Sequence, residues 1–354
     1  MLFDLEPKTK EKDFFNYNEE LNSLIGYIKD KTSRMVLIRG LRRTGKSSLL
    51  RVALKKAGLR YVLIDARELT SLSRRTFEAK LFEKLRLAEG VPANLLNRIE
   101  SVEAGIKISL KNEHGIWEIL KTTNPIIAVD EAQMLNGTGV DAFFAAAYDN
   151  TRCKIILTGS EIGVLDSFVG KENPKAPLFV RIYKEIRTRT LEAEKSAEFL
   201  RMGFKEVGKQ VSDAEITNAV QQLDGILGWL TVFGNIASSS DAKTALRKAV
   251  GDGARLAYSE FETFLGSRQS AKKRYTSLLR IVAEKKEVGW AELKNALQIE
   301  LKESISDPQF SNYLNALVDY GFVLHVEGGY SIPDPLLKKA FIGNGMVNDS
   351  GLKP

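Results

Sequence analysis

Four short runs, Met35-Val-Leu-Ile, Tyr61-Val-Leu-Ile, Ile126-Ile-Ala-Val and Ile155-Ile-Leu-Thr, are apolar at nearly every position and do not alternate. A strand with one wet face alternates; a strand that does not must be covered on both faces, the condition of a parallel sheet between layers of helix. The intervening residues are helical in pattern, and a weaker fifth run, Tyr183-Lys-Glu-Ile, follows. Strands separated by helices require right-handed crossovers, so residues 1–190 are expected to form a three-layer α/β core around a parallel sheet.

The chain is too long for that core alone. At 354 residues and 44% hydrophobic it has material for two or three domains, and its composition excludes disorder. None of its nine prolines falls between Pro177 and Pro308. There Ser212-Asp-Ala-Glu215 reads as a capping box ahead of Ile216, Ala219, Val220 and Leu223 on one helical face, so residues 191–266 are expected to be all-helical. A polar, basic stretch from Gly266 to Arg274 reads as a linker. Residues 267–354 then show a third pattern, with helices around Tyr275–Lys286 and Trp290–Leu301 and a third opened by Asp307-Pro308 and closed at Gly321. A hairpin turning at Gly328-Gly329 and a last helix opened by Asp334-Pro335 complete a winged helix-turn-helix.

No apolar stretch approaches the roughly 20 residues of a membrane span, and the first residues carry no basic-then-apolar leader. A single cysteine, Cys153, excludes a disulfide framework and a thiolate metal site, and fits a small packed residue in a reducing, cytoplasmic compartment.

Charge is concentrated where the chemistry is expected. Lys29 to Arg75 holds 14 basic and 3 acidic residues, a local surplus larger than the +7 of the whole chain. Such a surplus signals an anionic partner. Within it, Gly40-Leu-Arg42-Arg43-Thr44-Gly45-Lys46-Ser47 matches G-x-x-x-x-G-K-[ST], between a strand and a helix. The glycines let successive amides turn inward on a phosphate chain, and the following helix adds its positive end. Lys46 is then placed for the β- and γ-phosphates and the Ser47 hydroxyl for Mg²⁺. The run Ile126-Ile-Ala-Val ends in Asp130 and Glu131, the first suited to Mg²⁺ and the second to orienting the attacking water. Thr158-Gly159-Ser160 offers hydroxyls where the γ-phosphate and its water are expected, Thr158 first and Ser160 behind it.

In this order, Gly40–Ser48, Ile126–Gln133, Leu157–Ser160, Asn173-Pro174 through Arg181, the segment near Gly228 and Ser331-Ile-Pro-Asp-Pro-Leu-Leu337 resemble the archaeal ATPase group of P-loop proteins. That group is AAA+-like and related to the STAND signalling ATPases, and the resemblance spans nearly the whole chain. It implies an ATPase core, a helical lid and a winged helix, with ATP or ADP and Mg²⁺ as ligands. It also suggests Arg181 as an arginine finger, toward its own or a neighbour's phosphate, or as a plain surface residue. The chain departs from the group at Tyr17-Asn-Glu-Glu-Leu21, where an adenine-lining Arg-Glu-x-Glu-Leu segment is expected; Phe14, Phe15 and Tyr17 are the candidates to stack on the base instead. It departs again at Gly228-Trp229-Leu230, which lacks the lid's proline and places Trp229 either on the adenine or among neighbouring helices.

A winged helix invites a DNA-binding reading, which its charges weaken. From Leu265 to Pro354 there are 12 basic and 10 acidic residues, and Pro308–Tyr320 holds no Lys or Arg. Phosphate neutralisation dominates DNA affinity, and base reading leans on Arg and Lys. A switch acting through a protein partner or a second copy is therefore the first expectation. A DNA-binding ATPase akin to archaeal replication initiators is the second.

Overall fold

The computed structural model describes residues 1–87, 111–285 and 287–342, and the chain divides into two units, Pro7–Thr188 and, together, Met1–Glu6 with Arg189–Pro354. In the first unit, strands β1 (Met35–Arg39), β2 (Tyr61–Asp65), β3 (Ile126–Asp130), β4 (Lys154–Gly159) and β5 (Lys184–Arg187) form one parallel sheet in the order β2-β3-β4-β1-β5. The central strands are buried along their length, as runs without alternation require. On β1, Met35 and Leu37 face one layer while Val36 and Ile38 face the other. Helices α1 (Asn18–Lys29) and α2 (Lys46–Ala57) cover the second face through Leu21, Leu24, Leu50 and Leu54. The opposite face is closed by α3 (Arg74–Leu87), α4 (Lys111–Thr123), α5 (Val140–Asn150) and α6 (Ile162–Phe168), whose Phe77, Ile119, Phe143, Phe144 and Phe168 form its apolar layer. This is the three-layer core expected. The fifth run was faint because β5 is an edge strand on which Ile186 alone is buried, and exposed Lys184 and Arg187 blunt that edge against further pairing.

Cys153 lies fully buried just before β4. Burial pushes its thiol up to about 11, opposed only in part by the Thr151 hydroxyl. Because the thiolate is the reactive form, iodoacetamide at pH 8.5 is expected to leave Cys153 unmodified in the native protein and to alkylate it fully in denaturant, as read by intact mass. A proton held to higher pH when folded also means that this group's share of stability fades as pH rises from 9 toward 11.

The second unit begins with α7 (Ala193–Glu206), α8 (Asp213–Leu223), α9 (Leu227–Ala237) and α10 (Ala242–Gly266). The Ser212–Glu215 capping box forms: the Glu215 amide donates to Ser212 Oγ (3.3 Å) and the Ser212 amide to Glu215 Oε2 (2.9 Å). The winged helix follows as α11 (Lys272–Glu284), α12 (Trp290–Leu301), α13 (Asp307–Asp319), β6 (Leu324–Val326), β7 (Gly329–Ser331) and α14 (Pro335–Ile342).

Several expectations change here. The residues assigned to a lid and a winged helix pack on one another within one compact unit. Phe261 and Phe264 of α10 lie edge-on to Phe322 (5.4 and 5.3 Å), and Phe264 also meets Tyr275 (5.0 Å) and Tyr320 (4.9 Å). The presumed linker is structure. The Arg268 guanidinium sits over Phe264 (4.2 Å) and Tyr320 (4.8 Å), and α11 starts at Lys272. Ser306, not Asp307, caps α13, its hydroxyl accepting from the Gln309 amide, and Val326 pairs with Gly329 so that the wing turns on Glu327-Gly328.

Met1–Glu6 also joins this second body. Phe3 enters a notch between Gly203 of α7 and Gly234 of α9, packs edge-on to Phe199 (5.7 Å) and Phe204 (5.0 Å), and its carbonyl accepts from Asn235. A Cβ at Gly234 falls 2.3 Å from the Phe3 ring, so the notch exists because side chains are missing there.

Candidate active site

The loop leaving β1 is built before it meets any ligand. Gly40 admits no side chain, since a Cβ there lies 2.1 Å from Thr188 Oγ1 and 2.6 Å from the Thr188 carbonyl oxygen. Thr44, fully buried, donates to the Leu41 carbonyl (2.8 Å) and shares a 2.6 Å hydrogen bond with the Thr188 hydroxyl. Arg43 and Gly45 hold positive φ of 64° and 94°, the left-handed conformations that turn consecutive amides toward one side and open a concavity for an anion. α2 begins at Lys46 directly behind it.

Lys46 is buried at 4% exposure and donates to the Leu41 carbonyl (2.6 Å). Burial pushes its ammonium down to about 8 even though Glu131 and Asp130 pull the other way, with Arg42 and Arg43 adding to the depression. The pull from both acids ties the end of β3 electrostatically to the loop. Arg42 reaches Glu161, just after β4, with 2.6 Å between Nη2 and Oε1.

At the end of β3, Asp130 is 1% exposed. Its Oδ1 accepts from the Thr158 hydroxyl, and its Oδ2 is buried with no protein partner. A buried carboxylate oxygen without a donor is unfavourable unless a cation completes it. A hard dication with oxygen ligands suits that atom.

Glu131 follows at φ 53°, turning its side chain off the strand axis. Burial by itself raises its carboxyl, but the Lys46 ammonium, hydrogen bonds from Gln133 and Ser160, and the Arg67 guanidinium outweigh it and hold the group below its ordinary range. Arg67, held by Asp65 at the end of β2 (Nη2 to Oδ2, 2.6 Å), brings positive charge beside both acids. Gln133 and Arg67 were missed as individual site residues in the sequence. A polar residue shortly past a strand's closing acid, Arg67 two positions after Asp65 and Gln133 three after Asp130, was the available signal for each.

Other expected residues fall differently. Thr158 is buried with its hydroxyl donating to Asp130 while accepting the Glu131 amide (3.2 Å), so it ties the two acids together. Ser48 Oγ accepts the Lys8 amide (2.9 Å). Phe15 and Tyr17 are buried ahead of α1, at 9% and 4% exposure. Trp229 is 2% exposed within the second unit, its indole N–H donating to the Asp334 carboxylate (3.1 and 3.2 Å) and its ring beside Gly253.

Arg181 pairs with Asp149 in the last turn of α5 and donates to the Pro177 carbonyl. It precedes β5, which runs parallel to β1, so it enters the sheet at the end of the strands opposite the one that the Gly40–Ser47 loop leaves.

Residues 14–232 match the model of an ATPase domain found predominantly in Archaea, and residues 269–332 match that of the C-terminal winged helix-turn-helix domain of MCM proteins. The chain belongs to this archaeal ATPase family. Among solved structures, the family member is similar to the Walker-type ATPase PABY2304 of Pyrococcus abyssi, at 31% identity and a TM-score of 0.79 over 96% of this chain and 99% of that one. Lower likenesses, with TM-scores of 0.45 and 0.44 at 14% and 12% identity, are to domain III of the Thermotoga maritima replication initiation protein DnaA, over 70% of this chain and 96% of that one, and to the T. maritima RuvB Holliday junction branch migration motor, over 95% and 98%. No curated protein matches the sequence. Among the described residues of this ATPase, no helix is long and apolar enough to cross a membrane.

Proposed function

We propose that this ATPase binds Mg²⁺-ATP in the Gly40–Ser47 loop, hydrolyses it slowly, and acts as a switch whose nucleotide state is relayed through the helical lid and winged helix to a protein partner or a second copy. The observation that carries the reading is the buried Asp130 Oδ2 without a partner, facing an electrostatic field shared with Lys46.

The residues divide the work. Amides of the loop and the Lys46 ammonium hold the β- and γ-phosphates, with Arg42 and Arg43 adding positive charge and Phe15 and Tyr17 bordering the base. Ser47 and Asp130 would hold Mg²⁺, which when bound neutralises charge on the transferring phosphoryl group. Thr158 keeps Asp130 oriented. Glu131, held ionised by Lys46 and its hydrogen-bond donors, accepts the proton of the attacking water. Arg181 acts on a neighbouring subunit's nucleotide, which makes the isolated subunit slow. The test is phosphate release from ATP by the full chain: turnover that EDTA abolishes and Mg²⁺ restores is expected, and a protein that binds ATP without ever releasing phosphate overturns the catalytic half of the reading.

The alternative, DNA binding through the winged helix, draws on the exposed amides of Gln309, Asn312 and Asn315 along α13, residue types that pair with adenine. Asp319 and the lack of Lys or Arg on that helix oppose it. A mobility shift that weakens steeply between 50 and 200 mM salt, a loss of about 10³-fold or more, is the signature it needs.

A further inference from the structure

We propose that Gln133 and Ser160 form a clip that positions Glu131 as the base, a role that rests on the hydrolytic reading above but goes beyond the loop and the two acids. Gln133 Nε2 donates to Glu131 Oε2 at 2.6 Å and Ser160 Oγ donates to the same oxygen at 2.8 Å, with a longer 3.4 Å hydrogen bond from Gln133 to Ser160 closing the triangle. Both donors are buried, Gln133 at 4% and Ser160 at 3% exposure. Oε1 of Glu131 forms no hydrogen bond among the described residues. One oxygen is gripped and its twin is presented.

The geometry follows from the chain. Glu131 takes a left-handed conformation and residues 132–135 form a single 3-10 turn, which brings the Gln133 side chain back over the residue two before it. Ser160 comes from the other side, past the end of β4, the strand paired with β3. The amide of Gln133 has one workable orientation: turned over, its oxygen would face the carboxylate. Its Oε1 therefore points to Gly159, where an added Cβ would lie 2.8 Å from it and 3.0 Å from Leu165 Cδ2. That oxygen is buried and unpartnered, an unfavourable placement whose return is the hold on Glu131.

A base of this kind contributes only when its lone pair is aimed, and displacement of about 1 Å costs on the order of 10²-fold in rate. Gln133 and Ser160 act through Glu131 and need not touch the nucleotide, so they are positioning residues. Gln133→Met and Ser160→Ala are each expected to lower kcat about 10- to 100-fold while KM for ATP and the affinity for a fluorescent ADP analogue stay within about twofold. Gly159→Ala reaches the same result sterically, by pushing Gln133 aside.

The deciding comparison is in the Glu131→Gln background, read by single-turnover phosphate release. There Gln133→Met and Ser160→Ala are expected to add no further loss, because the group they position has lost its charge. Either variant retaining wild-type kcat overturns the clip, as does a loss of equal size in both backgrounds. Loss of ADP binding in both would assign the pair to folding and overturn it likewise. Failure of the hydrolytic reading looks different: wild-type protein would then release no phosphate, or Glu131→Gln would release it at the wild-type rate.

Discussion

Glu131→Gln is expected to bind ATP as tightly as the wild type and to release phosphate 10²- to 10⁴-fold more slowly, the range a positioned general base contributes. The substitution keeps shape and removes charge: a glutamine oxygen can still accept from Gln133 and Ser160, so the strand end need not rearrange. Lys46→Ala is expected to fail at the earlier step. The ammonium is buried in the loop, where it shares the Leu41 carbonyl with the Thr44 hydroxyl, so its removal costs that carbonyl one of two donors and leaves the triphosphate without its central cation. Affinity for a fluorescent ATP analogue should drop at least 100-fold in Lys46→Ala and stay within about twofold in Glu131→Gln. Unchanged hydrolysis in Glu131→Gln would remove the base from the mechanism, whatever the loop binds.

Trp229→Ala is expected to destabilise the second unit by about 3–5 kcal/mol, the range for emptying a buried aromatic site. The indole is nearly inaccessible, and its N–H satisfies a carboxylate that also caps α14 through the Leu336 amide (2.9 Å). Removing the ring therefore opens a cavity and takes a donor from Asp334 together. Trp229→Phe separates the two losses, keeping most of the packing and giving up a charge-assisted hydrogen bond of about 1.5–3 kcal/mol. Urea titration followed by circular dichroism reads both. Nucleotide affinity at low urea should be unchanged in Trp229→Phe; a tenfold weakening would return the ring to the base.

Much of this architecture was legible because the deciding signals are local. Uninterrupted Val, Ile and Leu runs announced the buried strands, Gly40–Ser47 announced the loop, and Asp130-Glu131 closing a run announced the acids. Ser212 and Glu215 marked a helix start that forms as read. What escaped was set by pairs distant in sequence. Thr158 showed in the sequence only as the close of a strand; the hydrogen bond it makes to Asp130, 28 residues away and one strand over, could not be read there. Arg268 looked like part of a basic linker because charge suggests solvent, whereas its guanidinium lies on two aromatic rings. The ion pair of Arg181 with Asp149, 32 residues away, had no local signal. The notch that takes Phe3 had no signal at all, since it is made of two glycines 31 residues apart.

The Phe3 notch bears on how this protein can be taken apart. Its second unit is discontinuous: six residues come from the start of the chain and the remainder from Arg189 onward. A fragment trimmed at Thr188 keeps every helix of that unit yet leaves an aromatic-sized slot open between α7 and α9, greasy and ready to capture a stray side chain from another molecule. The piece to express is a permuted one, with Met1–Glu6 spliced back through a short flexible tether, and its solubility beside the trimmed version would show how much that single phenylalanine guards.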